Sequence, residues 1–146
     1  MTFVSFEVDT SDLTEKLERL SRIDKNEILD GMGFIIENHV VQKIDEMGLV
    51  DNGHFKNSVH HYVEGDVVYI TDKVHYGVHL EYGTRDHMVK PRSKKALHWE
   101  QEGEQAFSKG HMVSGIREYA PFRKGLINSQ EEVVKYVRNE IIRKAR

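Results

Sequence analysis

The chain has 146 residues, a length typical of one domain built around a single hydrophobic core. Its formal net charge of −3 excludes the global positive field that draws basic proteins onto nucleic acid or anionic membranes. Hydrophobic residues make up 38% of the chain and charged residues 31%, which is lean in core formers for a globular domain. We therefore expect one domain, residues 1–146, part of whose apolar surface is completed by neighbouring subunits.

Cysteine and long apolar runs are both missing from the sequence. The lack of cysteine excludes disulfides, thiolate zinc sites and cysteine nucleophiles, and it fits a protein made in a reducing cytosol. No apolar run reaches the roughly 18 to 20 residues of a membrane span, and residues 1–12 lack the pattern of a signal peptide. We expect a soluble protein with no membrane partner.

Two helices are predicted in the N-terminal third, after a short extended segment at residues 3–8. Asp12 and Glu15 form a capping box, which marks the start of the first helix. Asp24 and Glu27 repeat this signal, and Gly48 ends the second helix. Its apolar face comprises Ile28, Met32, Ile35, Ile36, Val40, Ile44 and Met47, at helical spacing. Two glycines inside it, at positions 31 and 33, predict either close approach of another part of the chain or a loose packing point.

Two hairpins and a C-terminal helix are predicted after Gly48. Residues 55–63 and 67–70 flank the turn residues 64–66, and residues 96–99 and 104–107 flank Glu102 and Gly103. Pro121 and Phe122 open a terminal helical region, in which Ser129 and Glu132 form a third capping box, and the last helix is expected from about Ser129 to Lys144. The predicted fold class is α+β, with an antiparallel sheet from about Phe55 to Gly115 and the N-terminal and C-terminal helices packed against it.

Two segments between the hairpins have a less regular pattern. Residues 74–82 fit a strand by alternation of apolar residues and a helix by the spacing of Val74, Val78 and Tyr82, so both interpretations stay open. Residues 83–95 are polar and basic, which predicts a long exposed loop with a functional role. Its cations are Arg85, Lys90, Arg92, Lys94 and Lys95. This loop would line a DNA channel, meet an acidic surface of a neighbouring ring, or be merely solvated.

Three segments, in order, carry a recognisable pattern. Residues 51–59 have an acidic residue at the start, with Gly53 and Ser58 further along; residues 76–84 read Tyr-Gly-Val-His-Leu-Glu-Tyr-Gly-Thr. The third is the basic stretch 91–99 followed by an aromatic hairpin and Pro-Phe at 121–122. Together they resemble the tail-completion, head-to-tail joining and minor tail component family of tailed bacteriophages. The matched motif residues are Gly53, Ser58, Tyr76, Glu81, Tyr82, Gly83, Thr84, Pro121 and Phe122.

The chain departs from the family pattern in two places. Asn52 stands where the family has Thr, and Arg123-Lys124-Gly125 stands where the family often has Leu-Arg-Pro. The resemblance implies a structural virion protein at the phage neck or tail end, assembled in the host bacterial cytoplasm. It implies a homo-oligomeric ring, a hexamer if the ring matches tail symmetry, that meets head connector or tail tube proteins. Non-specific DNA contact in the channel is one role of the basic loop in such a ring. It implies no enzymatic activity, no cofactor and no metal site.

The motif residues also have physical interpretations. Gly53 and Gly83 are expected to supply positive φ angles or close chain approach, with ordinary turn glycines as the alternative. Glu81 is expected to accept hydrogen bonds from loop N–H groups or to pair with an arginine of a subunit, unless it simply faces solvent. Five aromatic residues are expected mainly in the core, with interface anchors as the alternative. They are Tyr76, Tyr82, Trp99, Phe107 and Phe122.

Two other classes of function compete with the structural interpretation. His75 and His79, with His60, His61 and Glu81, suggest a metal site, but the Glu that follows the first histidine of a zinc protease helix is missing. A metal-dependent nuclease would use Asp66, Asp72 and Glu81 for a divalent cation and the basic loop for phosphate. A host-encoded adaptor module of the same α+β shape is the third class.

Overall fold

A computed structural model describes residue 15 and residues 18–50, 53–101 and 103–145 of the chain. Its helices are α1 (Lys25–Glu46), α2 (His54–Ser58), α3 (Gly77–Tyr82) and α4 (Pro121–Ala145). Its strands are β1 (His60–Glu64), β2 (Val67–Thr71), β3 (His87–Val89), β4 (Leu97–Gln101), β5 (Glu104–Ser108) and β6 (His111–Val113). The predicted α+β class is confirmed. Residue 15 and residues 18–21 are helical, whereas the extended segment at 3–8 and Asp12 lie outside the described residues.

Helix α1 is the central element, because it contacts both the β1–β2 hairpin and α4. Its predicted start is confirmed: the Asp24 side chain accepts a hydrogen bond from the backbone N–H of Asn26 at 2.9 Å. The helix ends just before Gly48, whose φ is 66°. Its buried side chains form the core with two residues of the next segment. The cluster is Ile36, Val40, Ile44, Phe55 and Val59.

Helix α4 runs antiparallel to α1 and packs along its length. Gly125 lies against the backbone of Val40 near one end, and Lys144 pairs with Glu27 near the other. The helix begins at Pro121, where the helical region was predicted to open, so the predicted start at about Ser129 is wrong by eight residues. Ser129 is fully buried inside the helix, where its hydroxyl donates to the Leu126 carbonyl at 2.8 Å. No described helix combines the length and apolarity that crossing a membrane would require.

The β1–β2 hairpin covers one side of α1. Its strands pair antiparallel around a turn at Gly65, as predicted, but β1 starts at His60 because residues 54–58 form α2 instead. On the inner face, His61 and Val68 lie against Gly33 of α1. On the outer face, Tyr62 and Tyr69 stack with ring centroids 4.9 Å apart, and both are exposed.

The segment 85–114 forms a β-ribbon that we call the arm. Strands β3 and β6 pair at its base, and β4 and β5 form the predicted second hairpin beyond them. Each pair makes its main contacts within itself. In the described part of the chain the strands thus form three two-stranded sheets, not the single sheet that was predicted. Helix α3 separates β2 from β3 along the chain, and the unequal connections 90–96 and 109–110 separate the β3–β6 pair from the β4–β5 pair.

Candidate functional site

The motif residues from residues 76–84 and 121–122 meet at the start of α4. Glu81, on α3, is buried, and one of its carboxylate oxygens accepts the backbone N–H of Phe122 at 2.9 Å. Its other oxygen accepts the backbone N–H of Arg123 at 3.2 Å. These N–H groups have no partner inside their own helix, because the first turn lacks carbonyls to receive them. Glu81 therefore caps α4 from a position about forty residues away in the sequence.

A second set of contacts holds Arg123 against the same carboxylate. The guanidinium donates from Nε to Glu81 at 2.9 Å, from Nη2 to the Glu81 backbone carbonyl at 2.9 Å and to Glu118 at 2.7 Å. The hydrogen bonds to Glu81 and then to Glu118 raise the pKa of Arg123. Glu81 thus accepts backbone N–H groups, as predicted; the arginine that it pairs with belongs to its own chain, and its side chain does not face solvent. The positive end of the α4 dipole adds to this stabilisation of the carboxylate.

Gly83 and Thr84 tie α3 to the segment that leads into α4. Gly83 has a φ of 72°, and a β-carbon there would lie 2.8 Å from the carbonyl oxygen of Ile116. The Thr84 N–H donates to that carbonyl at 2.8 Å, and the Ile116 N–H donates to the Thr84 hydroxyl at 2.9 Å. The interpretation of Gly83 as a residue of positive φ and close approach is confirmed. We call the set Glu81, Gly83, Thr84, Ile116 and Arg123 the junction.

The remaining motif residues surround Phe55 of α2. Its ring lies 5.9 Å from that of Tyr76 and 6.4 Å from that of Phe122, measured between centroids. Gly53, with a φ of 79°, precedes α2, and the Ser58 hydroxyl donates to the Phe55 carbonyl at 2.8 Å. The first motif segment therefore supports the core below the junction. Asp51 and Asn52 of that segment lie outside the described residues.

The prediction that the large aromatic residues lie mainly in the core is wrong for most of them. Tyr76, Tyr82, Trp99 and Phe107 are all exposed, and only Phe122 is half-buried against the core. Tyr82 lies under the Arg123 guanidinium, at 5.2 Å from the ring centroid. Composition and spacing do not distinguish a core aromatic residue from one left open to a partner.

An apolar groove of about 500 Å³ lies beside the junction, between β2, α3 and α4. Ile36 and Val40 of α1 line its base, and Val78 and Leu126 are exposed at its sides. Glu81 and Arg123 also border it, but both are engaged in the junction. The groove offers apolar contact area; Glu81 and Arg123 neutralise each other, and Asp72 at its edge accepts a backbone N–H.

The carboxylates considered for a nuclease are spread over three elements, and each is engaged separately. Asp66 pairs with Lys25, Asp72 accepts the N–H of Val74 at 2.9 Å, and Glu81 caps α4. Within residues 15, 18–50, 53–101 and 103–145, no group of three or more His, Asp or Glu side chains could hold a metal ion. The geometry therefore does not bring the proposed nuclease residues together.

The histidines considered for a metal site also lie apart. His75 and His79 are exposed around the start of α3, and His60 stacks on Tyr62 with ring centroids 6.5 Å apart. His61 is turned inward, with Nδ1 2.5 Å from a Glu37 oxygen that also accepts its backbone N–H at 2.9 Å. This contact fastens the hairpin to α1. Its only sequence signal was the glycine at position 33, which leaves room for the imidazole.

The basic loop forms the first part of the arm. Arg85 stands at the arm's base, while Lys90, Arg92, Lys94 and Lys95 lie between β3 and β4, and all five are exposed. The predicted loop therefore contains a strand, β3, which pairs with β6. Within the described part of the chain, none of these cations lies in an ion pair with a carboxylate. Their charge is directed to solvent or to another molecule.

Comparison with family models, curated proteins and solved structures finds no match. Membership of the phage family therefore stays a proposal. It rests on the three sequence segments, on the meeting of residues 53–58, 76–84 and 121–122 in the structure, and on the surfaces described above.

Proposed function

We propose that this chain is a structural virion protein of a tailed bacteriophage or prophage, acting in head-to-tail joining or tail completion by assembly into a ring. The observation that carries the proposal is the apolar surface. In the described residues, six hydrophobic side chains are buried, whereas eighteen large ones are exposed. Exposed apolar area on this scale is typical of a subunit that another protein surface covers.

The junction also supports a structural role. The motif residues with reactive side chains hold the elements of the fold together. Glu81 caps α4, and the Thr84 hydroxyl accepts the backbone N–H of Ile116. A catalytic carboxylate or hydroxyl has to face a substrate. In this chain the Glu81 carboxylate and the Thr84 hydroxyl contact the protein itself and fix the point at which the arm begins.

Removal of the gene from a phage or prophage genome that carries it tests the proposal directly. We expect lysates with separate heads and unattached or unfinished tails under the electron microscope, together with loss of infectious particles. Supplying the protein in trans should restore joined particles. Normal particles without the gene would overturn the proposal and leave a host-encoded adaptor as the better interpretation.

The assembly itself is measurable on purified protein. We expect light scattering to give a discrete multiple of the subunit mass, near six if the ring follows tail symmetry. We expect the assembled ring to bind the head connector or tail tube proteins at the neck or tail end of the virion. If the arm contacts DNA in the channel, binding should weaken steeply with salt, since phosphate contacts release counterions.

The nuclease alternative has a separate readout. Purified protein incubated with DNA and a series of divalent cations should leave the DNA intact at every pH. Metal-dependent cleavage that Asp72→Asn abolishes would overturn the structural proposal in favour of the nuclease.

A further inference from the structure

The strongest unassigned surface is the outer face of the β1–β2 hairpin. Its centre is apolar and aromatic, since Tyr62, Val67 and Tyr69 are 44%, 48% and 40% exposed. The face is therefore an apolar patch, open to solvent on the side away from α1.

One negative charge lies at the edge of this patch. Residues 60–72 contain no Lys or Arg and three carboxylates. Of these, Asp66 pairs with Lys25, and Asp72 lies against Gly77. The negative charge at the edge of the face is therefore that of Glu64.

The arm has the complementary character. Residues 85–95 contain five Lys or Arg and one Asp, and all five cations are exposed. The arm also exposes Met88, Phe107 and Met112, at 50%, 68% and 58%. Methionine and aromatic side chains are enriched at protein interfaces, where the flexible thioether adapts to an irregular surface. The arm thus exposes apolar side chains and is basic along residues 85–95, whereas the sequence of its tip, residues 100–104, contains three glutamates.

These two surfaces lie at different places on one subunit. The hairpin turn lies at the start of α1, where Lys25 pairs with Asp66. The arm leaves from the junction, and α4 there packs against Val40. The turn end of the hairpin therefore lies roughly 22 Å along α1 from the arm's base, at 1.5 Å per residue from position 25 to position 40, whereas the other end of β2 borders the groove beside the junction. The arm packs mainly on itself and does not cover the hairpin of its own chain.

We propose that the arm of one copy docks on the outer hairpin face of a second copy. The inference rests on the proposed ring assembly and names its contact. Phe107 and the two methionines cover the tyrosine pair, and Lys94 and Lys95 meet the carboxylate of Glu64. Because arm and hairpin are different patches, the contact is heterologous and leaves one arm and one hairpin free at the ends. Repetition with the right rotation closes a ring.

Cross-linking tests the contact, since the natural chain contains no cysteine. Differently tagged Tyr62→Cys and Phe107→Cys copies are mixed and treated with a short thiol cross-linker. We expect a heterotypic dimer. The control pairs Phe107→Cys with Ile127→Cys, a residue of α4 that is 62% exposed, and should give little product. A product no greater than in that control overturns the proposal, whether or not the protein forms larger species.

Charge reversal with rescue gives an independent test. Lys94→Glu with Lys95→Glu should weaken self-association on the order of tenfold at low salt and much less at high salt. Glu64→Lys in the same chain should restore most of the affinity, which a folding defect in the arm would not allow. Reversal without effect, or without rescue, refutes the assignment of these charges to the contact.

The outcomes separate this inference from the proposed function. Intact rings formed by Phe107→Ala and by the charge-reversed variant would overturn the arm contact and leave the ring proposal standing. Normal particles after gene removal would overturn the phage role, while a specific cross-link would still establish the contact.

Discussion

Replacement of Glu81 is the most informative test of the junction. Glu81→Ala removes the carboxylate that caps α4 and leaves the N–H groups of Phe122 and Arg123 without their acceptor. Loss of an N-cap side chain costs about 1 kcal/mol, and an unsatisfied buried donor adds about 1 to 2 kcal/mol. We expect the free energy of unfolding to fall by about 2 to 3 kcal/mol. For a chain of this length, that lowers the melting temperature by roughly 5 to 10 °C.

The size of the loss should depend on the chemistry of the replacement. Glu81→Gln keeps the shape and one acceptor oxygen, but its NH2 group faces the second N–H, so roughly half of the loss is expected. Glu118→Gln is the matched control. Glu118 also contacts Arg123, but its side chain is 54% exposed, and such substitutions change stability within about 0.5 kcal/mol.

Urea denaturation gives the free energies, and amide hydrogen exchange gives the location. The N–H groups of residues 122 and 123 should exchange faster in both Glu81 variants, relative to amides in the middle of α4. The capping role would be refuted if Glu81→Ala had the same free energy of unfolding as Glu118→Gln. It would also be refuted if the amide exchange rates at residues 122 and 123 did not change.

Three further substitutions test packing and titration. Gly125→Ala places a β-carbon 2.7 Å from the Val40 backbone, so denaturation should show a loss of about 2 kcal/mol, whereas Asn128→Ala on the exposed side of α4 should cost nothing. Gly83→Ala, at a φ of 72° and 2.8 Å from a backbone oxygen, should be at least as damaging. Burial, and then nearby carboxylates, raise the pKa of Tyr136 above the usual 10.0. The folded chain therefore holds the phenol proton more tightly than the unfolded chain. The contribution of this proton to the free energy of unfolding is complete below pH 10.0 and is lost as pH rises through the folded pKa. Melting curves of Tyr136→Phe should lack that loss, and equal losses would contradict the assignment.

The sequence correctly predicted the elements that depend on residues close together in the chain. Asp24 caps α1 because its side chain accepts the backbone N–H two residues further along the chain. Gly65 forms the hairpin turn because glycine adopts the φ of 60° that this turn requires at little cost. Neither depends on the rest of the chain. The same holds for the second hairpin, in which Gly103 has a φ of 84°.

The start of α4 shows where local signals fail. Pro121 and Phe122 open the predicted helical region, but the pattern of a serine followed three residues later by glutamate placed the predicted helix start eight residues too late. The true start has Pro121, whose lack of an N–H costs nothing there, and its cap is Glu81. A cap supplied by tertiary contact has no signature near the helix that it caps.

Residues 74–82 show a second limit. Their apolar residues fit both periods, and the structure selects the helix through contacts that the pattern does not contain. Gly77 and Glu81 are one helical turn apart and both buried, the first against Asp72 and the second at the start of α4. Val78 and Tyr82 lie one residue further along on the side of the apolar groove.

The matched segment at residues 76–84 and the residues that we assign to partners are different. Glu81, Gly83 and Thr84 contact their own chain, whereas Phe107, Lys94 and Lys95 belong to the third matched segment and Tyr62 to none. Residues 76–84 therefore determine the position from which the arm leaves, and the surfaces determine what the arm meets. A folded Glu81→Gln protein should then assemble less well although Glu81 touches no partner, because a loosened junction no longer holds the arm in one direction. Self-association measured well below its melting temperature tests this. Unchanged affinity would mean that the arm finds its site without help from the junction.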